Sequence, residues 1–98
     1  MATQMTIQLP TPQSAQTVIR ALELYKTQLR ANIKRTQRKL TTFEQQYNIT
    51  TDRLLADLTA EDLPGGDWEY VEWAGEAKLL AGLREELKEL ESASFQLP

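Results

Sequence analysis

Apolar side chains return every three or four positions between residues 15 and 47: Ala15, Val18, Leu22, Tyr25, Leu29, Ile33, Leu40, Phe43 and Tyr47, with Thr36 in the same register. At about 100° per residue, all of them lie within roughly 40° of Leu29, the signature of an amphipathic helix. Its start is written locally. Thr11 offers a hydroxyl cap, and Pro12 follows at the first helical position, where no amide donor is needed. The pattern predicts a helix from Pro12 to about Tyr47, some 50 Å long. Asn48 is suited to close it in a left-handed conformation. Asn32 and Thr36 near the seam favour a bundle helix over a long strict coiled coil.

The stretch from residue 67 to residue 91 carries a second helical period, with two faces. Leu79, Leu80, Leu83, Leu87 and Leu90 gather within about 60° of one line. Tyr70, Trp73, Ala74, Ala77 and Ala81 gather on another face, about 140° away. Trp68 and Trp73, five residues apart, point about 140° from each other and cannot both enter one narrow seam. Glu72 and Glu76 extend the leucine line. Gly75 and Gly82 share one side, where they would let another backbone approach closely. Each costs roughly 1 kcal/mol relative to alanine. Asp67 is the expected cap of this helix, its carboxylate favoured by the helix dipole.

Shorter elements complete the pattern. Thr50 and Thr51 supply a cap for a two-turn helix over residues 51–57, whose apolar face is Leu54, Leu55 and Leu58. Residues 59–66 read as loop, with Leu63-Pro64-Gly65-Gly66 breaking regular structure. Met5, Ile7 and Leu9 alternate with Thr6 and Gln8 ahead of Pro10. That run predicts either a short edge strand, which would need a second chain to pair with, or a loosely draped arm. The expected organisation is an N-terminal arm over residues 1–10, a helical hairpin domain over 11–91 and a flexible tail over 92–98. The fold class is all-α: an antiparallel hairpin of two long helices with a short helix between them.

Charge is distributed unevenly within a net −3 over 98 residues. Residues 13–47 hold seven bases against Glu23 and Glu44, a local +5; residues 67–98 hold eight acids against Lys78, Arg84 and Lys88, a local −5. Opposite charge on two long helices favours antiparallel docking, although exposed pairs contribute little individually. The start of the chain lacks a basic region followed by a long apolar run, so no signal peptide is expected. No apolar run approaches the roughly 18 residues of a membrane span. A cytoplasmic protein without membrane contact is the expectation.

Candidate chemistry is sparse. The chain has neither cysteine nor histidine, which removes thiolate nucleophiles, Cys-based metal sites and the commonest general base. Glu72 and Glu76, one turn apart, lack the Glu-x-x-His partners of a bundle di-metal site. Gly65-Gly66 lacks the further glycines and the lysine of a phosphate loop. We therefore expect no enzyme, no cofactor and no metal. The bases Arg20, Lys26, Arg30, Lys34, Arg35, Arg38 and Lys39 are expected on the side of the first helix opposite its apolar seam and could track phosphates, but such a row more often serves as a solvated face or a dock for acidic helices. Nucleic-acid binding is thus the runner-up reading, with a structural coiled-coil adaptor as a third. A two-helix hairpin would leave the aromatic and alanine face uncovered. Trp68, Tyr70, Glu72, Trp73, Glu76 and Ala77 are accordingly the candidate partner-binding residues, with either a homodimer or a foreign protein as the cover. Ordinary core packing is the competing use of the same aromatic residues.

The run Phe43-Glu44-Gln45-Gln46-Tyr47-Asn48-Ile49-Thr50, the leucine-bearing short helix, and Asp67-Trp68-Glu69-Tyr70-Val71-Glu72-Trp73-Ala74-Gly75-Glu76 together resemble a group of small prokaryotic proteins. These proteins, common in cyanobacteria and archaea, are often read as the antitoxin-like partner of a toxin–antitoxin pair. The likeness covers about residues 43–90, and its acidic-aromatic centre at 67–73 is its most specific part. The loop Glu61-Asp62-Leu63-Pro64-Gly65-Gly66-Asp67 departs from the Gly-x-Leu-Gly-Asp of the group. The resemblance implies a small non-enzymatic protein that binds and restrains a toxin.

Overall fold

The computed structural model describes residues 2–63 and 66–95. Its helices are α1 (Pro12–Tyr47), α2 (Thr51–Asp57) and α3 (Gly66–Glu91), with a single 3-10 turn (Ala60–Asp62) before α3. α1 and α3 pack against each other, and α2 closes one end of the pair. The architecture is the all-α hairpin expected from the two helical periods. Among the described residues there is no strand. Residues 2–9 are exposed and irregular, so Met5, Ile7 and Leu9 form no strand within the chain. Met1, Pro64, Gly65 and residues 96–98, which belong to the expected arm, loop and tail, lie outside the described residues.

Local signals account for the helix ends. Thr11 accepts a hydrogen bond from the Ser14 N–H at 3.3 Å, and Pro12 opens α1. Asn48 ends it at φ 54°, ψ 42°, donating its N–H to the Glu44 carbonyl. The side chain of Glu44 accepts the Thr51 N–H at 2.7 Å, which ties the end of α1 to the first residue of α2. Thr50 caps α2 by accepting from the Arg53 N–H at 3.2 Å. Asp62 accepts the Thr59 N–H at 2.7 Å and fastens the 3-10 turn. α3 begins two residues earlier than a cap at Asp67 implies. Gly66, at φ +74°, is its first residue and donates to the Leu63 carbonyl. Asp67 therefore sits inside the first turn with Glu69 and is not the cap, though the dipole favours it there as well.

The fully buried apolar residues cluster at the α2 end: Leu40, Leu54, Leu63, Trp73 and Leu80, flanked by half-buried Ile33, Phe43, Tyr47, Ile49, Leu58, Tyr70 and Ala77. Toward the other end only Leu29 among the apolar residues is fully buried, while Val18, Leu22, Leu83, Leu87 and Leu90 are half-buried. Lys26 corrects the expectation that every base faces away from the seam. It is buried, and its Nζ lies 3.3 Å from Glu23 Oε1. A long lysine stem can cover apolar surface while its ammonium reaches a carboxylate, and that is the arrangement here. The result is an elongated body, 59 × 27 × 17 Å, with a radius of gyration of 19.2 Å. A compact chain of this length would have about 13 Å.

Candidate protein-interaction surfaces

Trp73 anchors α3 from inside. It is completely buried. Its ring stacks on Phe43 at 5.3 Å and 9°, and on Tyr47 at 5.8 Å and 26°. Its indole N–H donates to Thr51 Oγ1 at 3.0 Å. For Trp73 the competing use, ordinary core packing, holds, and Tyr70 is half-buried beside it, whereas Ala81 of the same face stays exposed. The last turns of α1 supply two aromatic rings, and Leu54 and Leu63 close over the same cluster.

The six candidate residues consequently part company. Trp73 and Tyr70 belong to the core, and Ala77 packs against it while also lining an open groove. Glu76 is largely covered and bonds Lys39 Nζ at 3.2 Å, linking α3 to α1. Trp68 and Glu72 face solvent, Trp68 being 79% exposed. Four residues of helix separate a tryptophan that holds the fold from one that is free to meet something else.

The groove with Ala77 on its wall, about 580 Å³, forms where α1, α2 and α3 converge. Its lining is mixed: Leu40, Leu55, Ala77, Leu80 and Ala81 are apolar, Gln37, Thr41 and Thr51 polar, and Glu44, Asp52 and Arg84 charged. Leu55 is half exposed at its edge. Sequence reasoning placed Leu55 only on a short apolar face, because the groove exists only once three separate helices meet. On the other side of α3, Trp68 and Val71 flank a shallow hollow with Glu72. The outer side of α1 presents Arg20, Lys34, Arg35 and Arg38, none of which makes an ion pair among the described residues.

The hairpin is also held by polar contacts along its length. Arg30 lies 3.6 Å from Glu91, and Tyr25 donates its hydroxyl to Glu86. That hydrogen bond, together with partial desolvation and the nearby charge of Glu86, raises the Tyr25 phenol above the ordinary tyrosine value. Among the described residues no three carboxylates gather as a metal-ligand set, and no helix is long and apolar enough to cross a membrane. No protein-family model, curated protein or solved structure matches the chain.

Proposed function

We propose that this chain is a non-enzymatic protein-interaction module of the cytoplasm, an antitoxin-like partner that binds and restrains a toxin. The structural support is the three-helix groove. Its mixed apolar and polar lining suits an inserted amphipathic helix or loop of a partner, and Leu55 stands half exposed at its edge. Few well-placed apolar anchors can supply most of the energy of such a contact. The likeness of residues 43–50 and 67–76 to antitoxin-like proteins supplies the class of partner.

The test is co-expression with the product of the adjacent reading frame. That product alone should arrest growth, and this chain should relieve the arrest. Leu55→Asp combined with Ala81→Arg should abolish the relief while leaving helicity unchanged. A harmless neighbouring product, or relief that survives the double variant, sinks the reading. A second reading has its own observation. Arg20, Lys34, Arg35 and Arg38, which make no ion pair among the described residues, fall within roughly 100° of one another on α1, a row suited to a phosphate backbone.

A further inference from the structure

On the side of α3 turned away from Trp73, five positions carry no polar side chain: Trp68, Val71, Gly75, Leu79 and Gly82. All five are exposed, Val71 at 63% and Leu79 at 48%. They fall within roughly 80° of one another and so make one stripe. Nothing inside the chain accounts for its glycines. A Cβ built on Gly75 or Gly82 would meet nothing within 4 Å beyond the adjoining backbone of its own helix, and neither takes a positive φ.

The spacing supplies the missing reason. Val71 and Leu79 stand four residues on either side of Gly75; Trp68 and Gly82 stand seven. A two-fold contact between identical helices demands such symmetry, because residue i meets residue j wherever j meets i. Centred on Gly75, an antiparallel pairing sets Trp68 over Gly82 of the second copy, Val71 against Leu79, and Gly75 against its own counterpart. The largest side chain of the stripe thus meets a position with none, and the backbones can approach closely at the axis. We propose that α3 pairs antiparallel, about Gly75, with α3 of a second copy of this chain. The proposal deepens the interaction reading, from which it takes only the class of function, by naming one partner and its register.

Area and charge set the strength. Trp68, Val71 and Leu79 leave roughly 400 Å² of side-chain surface open per chain. With the flanks, a symmetric pair would cover about 1,000 Å², in the range of weak, transient interfaces, so the dimer is a reversible one. The same register brings Glu72 beside Glu76 of the second copy. Glu76 is paired with Lys39, whereas Glu72 makes no ion pair among the described residues. Added salt should therefore tighten this contact, whereas a basic foreign partner on the same stripe would bind more weakly as salt rises.

Single cysteines test the register, because the chain has none of its own. Gly75→Cys should cross-link to itself under mild oxidation. Trp68→Cys alone and Gly82→Cys alone should not, since in either case the two copies of the residue lie about 21 Å apart along the helix axis. The double variant Trp68→Cys with Gly82→Cys should cross-link again. Sedimentation equilibrium should show the unmodified chain dimerising, and Gly75→Glu should weaken the dimer at least tenfold with unchanged helicity by circular dichroism. A chain that stays monomeric up to about 1 mM, equal cross-linking at residues 68, 75 and 82, or a dimer untouched by Gly75→Glu overturns the proposal. These outcomes leave toxin neutralisation through the groove unaffected, and loss of neutralisation leaves the cross-linking pattern unaffected, so the two readings fail separately.

Discussion

The indole N–H of Trp73 donates to the hydroxyl of Thr51 at 3.0 Å, while the backbone N–H of the same threonine donates to Glu44. One residue at the start of α2 therefore fastens both long helices. Trp73→Phe keeps an aromatic ring against Phe43 and Tyr47 but deletes the donor, and should cost about 1 kcal/mol in urea melts. Trp73→Ala should cost about 3–5 kcal/mol. A loss under about 1 kcal/mol for the alanine variant would show that α3 is held by something other than this ring.

Burial is uneven along the hairpin, and opening should follow it. Amide hydrogen exchange should be slowest in residues 33–47 and 70–80 and faster in residues 12–22 and 84–91, where most apolar side chains are only half covered. Leu29→Ala should cost about 2–5 kcal/mol, because Leu29 is the buried apolar residue of the thinner end. Uniform protection along α1, or a loss below about 0.5 kcal/mol, would contradict this gradient.

Tyr25 offers a test against pH. Its hydrogen bond to Glu86 favours the neutral phenol, so the folded-state pKa lies above the unfolded one. A group raised in this way contributes stability that is fully present below the ordinary tyrosine value and is lost as pH climbs through the folded value. In an ultraviolet titration, Tyr25 should ionise at higher pH than it does in the Glu86→Gln variant. Identical titrations of the two proteins would remove the hydrogen bond from the account.

The basic outer side of α1 separates the two readings of function. Lys34→Glu with Arg38→Glu should leave fold and self-association intact and change nothing in a low-salt gel shift. Tight duplex binding by the parent chain, lost in the double variant and falling steeply with salt, would move nucleic-acid binding to first place.

Both ends of α1 and the start of α2 were legible in the sequence, since Thr11-Pro12, Asn48 and Thr50 act through neighbours in the chain. The opposite directions of Trp68 and Trp73 were legible too, from their five-residue spacing. Which of the two turns inward was not. That depends on Phe43, Tyr47 and Leu63 converging from other elements, and Leu63 lies in a stretch that reads as loop yet is buried. The start of α3 was misplaced because Gly66 adopts a positive φ that only its backbone, and no side-chain pattern, announces. The groove escaped for the same reason as the buried tryptophan: it belongs to no single helix.

The clasp between Glu44 and Thr51 spans only seven residues of chain. Closing so short a loop carries little entropic cost, whereas joining Tyr25 to Glu86 must bring together residues 61 apart in sequence. We hypothesise that the corner of α1 and α2 organises first, captures Trp73, and lets the remaining turns of α3 zip outward toward the free ends. In kinetic terms, substitutions at Leu54 should slow folding, whereas those at Leu90 should mainly hasten unfolding; the reverse partition in chevron analysis would place the nucleus elsewhere.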